Sequence, residues 1–77
     1  MTGAEKSTAL LALATEADIA GLGLIAAALT QIARLDLDDP EVCKKWYIEV
    51  VTERHGGDRK RSTLLFRAAS ALRESGS

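Results

Sequence analysis

Apolar residues recur along this chain at helical spacing rather than in strict alternation. Leu10, Leu13 and Ala17 lie three and four residues apart, which predicts a first helix from about Ala4 or Thr8 to Ala14, with Ser7 as its cap. Thr15, followed by Glu16 and Asp18, reads as a second cap with acids in the turn that the helix dipole favours. The alternative is one continuous helix through this point. A second helix is predicted from about Glu16 to Arg34. Ile19, Leu22, Ile25 or Ala26, Leu29 and Ile32 form one stripe of it, and Ala20, Gly23 and Ala27 form another of small residues. Being apolar nearly all round, it is expected to be the central, most buried element. Gly21 and Gly23 each cost roughly 1 kcal/mol against Ala within a helix. Close packing against another helix is the preferred account of them, over a break near Gly21.

Asp36 to Asp39 is an acidic connection. Asp39-Pro40-Glu41 is the clearest local signal: Asp caps, Pro takes the first helical position, and Glu sits in the first turn. A third helix then runs to about Arg54 or His55. Its apolar pairs, Val42-Cys43, Trp46-Tyr47 and Val50-Val51, recur every four residues, and Glu41 and Lys45 are placed as an i,i+4 pair. Gly56-Gly57 ends it, since glycine readily takes the left-handed capping conformation. Asp58 caps a last helix from about Arg59 to Glu74, with Leu64-Leu65, Ala68-Ala69 and Leu72 as its buried stripe.

The expectation is therefore an all-α, compact bundle of three to four short helices, one domain over residues 1–77 with about 1–6 and 75–77 frayed. A competing reading follows from the strand propensity of Trp46 to Thr52. Gly56-Gly57 would then close a C-terminal β-hairpin onto Ser62–Phe66, resembling the wing of a winged-helix DNA-binding domain. The period-four pairing and the helix start at Pro40 argue against it.

Composition supports the helical reading. Ala and Leu supply thirteen and eleven residues, against one each of Phe, Trp, Tyr and Met. The net charge of −1 conceals a split. Residues 1–43 carry seven acids and two bases, a net of −5, whereas residues 44–77 carry eight bases and four acids, a net of +4. The uncharged stretch 19–33 is shorter than the ~20 residues of a membrane span. Lys6 and the apolar run after it make too short a core for an export signal. The expectations are a cytoplasmic protein, no membrane partner, and a reduced thiol at Cys43, the only cysteine.

Enzymatic chemistry finds little support. His55, the only histidine, would lie about 18 Å from Cys43 along a continuous helix, too far for a nucleophile–base pair. It reads instead as an exposed cation near a helix C-terminus. One Cys and one His are too few for structural zinc, and the acids at 36–41 lack the glycine and distant glutamate of a calcium loop. Those same acids suggest no cleft that would separate their pKa values for acid–base work. Gly56 to Thr63 resembles a phosphate loop only superficially, because its Gly-to-Gly-Lys spacing is wrong and no buried strand precedes it. No cofactor, metal or small-molecule substrate is expected.

One placement breaks a folding rule. Arg59, Lys60 and Arg61 occupy the first turn of the last helix, where the dipole disfavours cations by roughly 0.3–1 kcal/mol each. With Arg54 and His55 across the turn, they form a candidate anion- or partner-binding segment. Asp36, Asp38, Asp39 and Glu41 form its acidic counterpart. Lys44 and Lys45 flank Trp46 and Tyr47 in the manner of base-stacking proteins, but helical spacing assigns Trp46 to the core. The leading expectation is a small non-enzymatic protein–protein interaction module, acting as adaptor, inhibitor or dimerisation domain with regulatory character. A homodimer would cover the surplus apolar face of the second helix. The alternative is a nucleic-acid-binding regulator that uses residues 54–61 on phosphates.

Overall fold

The computed structural model describes residues 2–53 and 59–73. Four α-helices follow one another: α1 Gly3–Ile19, α2 Gly23–Ala33, α3 Pro40–Glu53 and α4 Arg59–Arg73. The all-α bundle of short helices is therefore the fold. Among the described residues no strand forms, and the hairpin alternative fails. The period-four pairs decide the matter: Cys43 and Val50 are buried, and Val42, Trp46, Tyr47 and Val51 pack against the core. Among the described residues, no helix is long and apolar enough to cross a membrane.

α1 is longer than expected at both ends. Thr2 Oγ1 accepts from Glu5 N–H at 3.2 Å and Glu5 Oε1 accepts from Thr2 N–H at 3.3 Å, closing a capping box. Residues 3–6, expected to fray, therefore form the first turn, and Gly3 and Lys6 are buried. Neither predicted internal cap acts as one. Ser7 Oγ donates to the Ala33 carbonyl at 2.8 Å, serving the end of α2. Thr15 Oγ1 donates to Leu11 O one turn back, which any mid-helix threonine can do.

The predicted second helix divides at Gly21. Gly21 N–H donates to Asp18 O at 3.1 Å and Leu22 N–H donates to Ala17 O at 2.8 Å, with Gly21 at φ 80°. This is the Schellman arrangement that ends α1. The turn throws Ile19 off the expected stripe: it is 82% exposed, whereas Leu29 and Ile32 remain buried. Close packing does not explain the glycines, since a Cβ at either Gly21 or Gly23 would meet nothing within 4 Å. The two positions should respond oppositely to alanine. Gly21→Ala is expected to cost about 1 kcal/mol through the left-handed backbone. Gly23→Ala should gain up to about 0.5–1 kcal/mol by restricting the unfolded chain. Paired urea melts check this, and equal effects would refute it.

The centre of the bundle is α1, not the stretch 16–34. α2 and α4 both pack on α1, and α3 packs on α4. The core joins Leu10, Leu13 and Ala17 to Leu29 and Ile32 of α2, to Val50 of α3, and to Leu64, Leu65, Ala68 and Leu72 of α4. Ala17 and Ala68 are fully buried, so small side chains at these positions let the backbones approach closely.

Candidate functional site

The basic candidates separate once placed on the fold. Arg54 and His55 lie outside the described residues. Arg61 serves the fold: its guanidinium pairs with the Glu53 carboxylate at 3.0 Å and also donates to the Glu53 main-chain carbonyl at the end of α3. A cation there satisfies a carbonyl with no partner within its helix and complements the negative end of the dipole. The unfavourable position of Arg61 at the start of α4 is thus offset at the end of α3. Arg59 and Lys60 are exposed and in no ion pair among the described residues.

Arg59 and Lys60 border an open groove of about 580 Å³ between the end of α1 and the start of α4. Ile19, Ala20 and Leu64 supply its apolar lining, and Arg67 adds a third base. Arg67 is tied to Glu16 at 3.0 Å, both side chains being about half exposed. Such a pair contributes at most about 1 kcal/mol, but it holds the Arg67 side chain at the groove. The turn that follows α1 also leaves Leu24, in the first turn of α2, 89% exposed, while Ile19 is 82% exposed. No sequence signal linked Arg67 to Glu16, which lie 51 residues apart.

The acidic candidates are mostly occupied by the backbone. Asp39 Oδ1 accepts from Glu41 N–H at 2.9 Å, so Asp39 caps α3 as expected. Asp36 Oδ1 accepts from Asp38 N–H at 3.2 Å within the connection. Asp38 Oδ1 accepts from Gly3 N–H at 2.7 Å, so this residue caps the remote start of α1. A Cβ at Gly3 would lie 2.7 Å from the Asp38 backbone nitrogen, so the close approach depends on glycine. Only Glu41, exposed in the first turn of α3, lacks a side-chain hydrogen bond of this kind among the described residues. No group of three His, Cys, Asp or Glu side chains among the described residues is arranged to hold a metal ion.

Trp46 is partly buried against the core, with Lys45 Nζ 5.3 Å from its ring centroid. It is not splayed as a stacking platform.

The residue that sequence reasoning passed over is Lys6. It lies on the buried stripe of α1 with Leu10, Leu13 and Ala17, and is 7% exposed. Its Nζ donates to Cys43 Sγ at 3.6 Å, and that thiol donates to the Leu37 carbonyl at 3.1 Å. The three-and-four spacing from Lys6 to Leu10 and Leu13 was the available signal.

Compared with protein-family models, curated proteins and solved structures, the chain matches none.

Proposed function

We propose that this chain is a non-enzymatic protein-interaction module, and that its working surface is the groove between α1 and α4. The partner is an acidic protein segment that carries an apolar anchor. The observation that supports this reading is the pairing of uncovered apolar surface with unmatched positive charge. Ile19 and Leu24 stand exposed at the α1–α2 turn, and Arg59 and Lys60 border the groove in no ion pair among the described residues, its one described carboxylate, Glu16, being paired with Arg67. Apolar contact supplies affinity and the charged border supplies partner choice and association rate. A second copy is the weaker fit, because Asp36, Asp38 and Asp39 already accept backbone amides. Nucleic acid is also a weaker fit, because Ile19, Ala20 and Leu64 share the groove lining with its bases and Trp46 packs against the core.

Selection of a displayed random peptide library on the full chain tests the proposal. The expected survivors are net negative and carry large apolar residues, and they fail to bind the double variant Arg59→Glu/Lys60→Glu and also Ile19→Ser. Survivors indifferent to both variants would refute the groove. A gel shift at micromolar protein and about 50 mM salt would transfer the surface to nucleic acid. A dimer in sedimentation equilibrium that is lost in Ile19→Ser would transfer it to self-association.

A further inference from the structure

Among the described residues, the buried Lys6 ammonium meets no counter-charge. Lysine is almost never this buried unless paired, because removing its charge from water is costly. The single acceptor it meets among the described residues is the Cys43 sulfur at 3.6 Å. Sulfur is a weak acceptor, and an ammonium carries three donors. The helix adds no relief, since Lys6 lies near the positive end of α1, where a cation is disfavoured. A sequence selected for stability alone would place an apolar residue on this stripe.

Lys6 and Cys43 both line a cavity of about 270 Å³ between the first turns of α1 and α3 and the end of α4. Its other cations are Lys44 and Arg73, both exposed and in no ion pair among the described residues. Pro40, Tyr47 and Leu72 give it apolar walls, and among the described residues no carboxylate is part of the lining. Three cations therefore converge on one small, partly apolar space.

We propose that this cavity is a binding site for a small organic carboxylate. Lys6 holds the carboxylate from within, Arg73 and Lys44 hold it from the exposed side, and the hydrocarbon body lies against Leu72, Pro40 and the Tyr47 ring. The volume is just below the usual range of about 300–1,000 Å³ for ligand pockets, so the ligand is compact. The apolar walls favour a carboxylate with a hydrocarbon body over a fully hydrated inorganic anion. This site is independent of the α1–α4 groove, and either assignment can fail without the other.

Amide NMR titrations of the full chain with phenylacetate and hexanoate test it, with phenylacetamide and inorganic phosphate as controls. Saturable shifts around Lys6, Cys43 and Leu72, with Kd at or below about 1 mM, are expected for the carboxylates. The uncharged amide should bind at least about tenfold more weakly, and so should either carboxylate with Lys6→Met or Arg73→Gln, each equivalent to about 1.4 kcal/mol. Arg73 is exposed, so its variant reads binding even if Lys6→Met were misfolded. Absence of saturable shifts with either carboxylate, equal binding of acid and amide, tighter binding of phosphate, or undiminished binding by both variants would each overturn the proposal.

Discussion

Leu10→Ala is expected to lower the free energy of unfolding by about 3–5 kcal/mol. Leu10 is fully buried, on the helix that carries both α2 and α4. Removing its isobutyl group therefore opens a void where three helices meet rather than at an edge that can close over it. A chain of 77 residues has a total stability of roughly 4–12 kcal/mol, so this one change removes a large share of it. Leu24→Ala is the matched control. The same chemical change at 89% exposure should stay within about 0.5 kcal/mol. Urea denaturation of both variants gives the comparison directly. A loss below about 1.5 kcal/mol for Leu10, or comparable losses at both sites, would show that α1 is not the central element.

The centrality of α1 was hard to read from the chain, and the reason is physical. Mean apolarity ranks the stretch 16–34 first, but burial follows position in the bundle rather than hydrophobicity. Gly21 turns that stretch at a left-handed backbone angle, so its first residues belong to α1 and its apolar surplus is left exposed at Ile19 and Leu24. The start of α3 was legible because Asp39, Pro40 and Glu41 act locally, within one turn. The stripe of α4 was legible for a similar reason, since three-and-four spacing is a property of one helix. Asp38 at Gly3, Ser7 at Ala33, Arg61 at Glu53 and Arg67 at Glu16 were not legible. Each joins elements whose relative placement no local pattern specifies. The basic cluster shows the consequence. A single charge run at 59–61 proves to hold one residue that completes another helix and two that border a groove.

Lys6→Met should raise the free energy of unfolding by about 1–3 kcal/mol, an unusual direction for a substitution at a buried position. Methionine keeps an unbranched stem on the buried stripe that Lys6 shares with Leu10 and removes the charge that burial penalises. What is lost is one weak hydrogen bond to Cys43 Sγ at 3.6 Å, and the thiol keeps its own bond to the Leu37 carbonyl. The substitution also removes a cation from the positive end of α1. The removal of a buried charge and of a cation at the positive helix end outweighs the one weak hydrogen bond, which sets the sign. A midpoint shift in urea at unchanged slope is the measurement. A destabilised variant would mean that the ammonium is required by the fold itself. A stabilised variant identifies Lys6 as a residue kept at the expense of stability, which is the usual signature of a functional position. The ligand-bound wild type should recover part of the difference, since a carboxylate that binds only the folded chain stabilises it by mass action. Lys6→Met, which binds the carboxylate at least about tenfold more weakly, should show a smaller gain at the same ligand concentration.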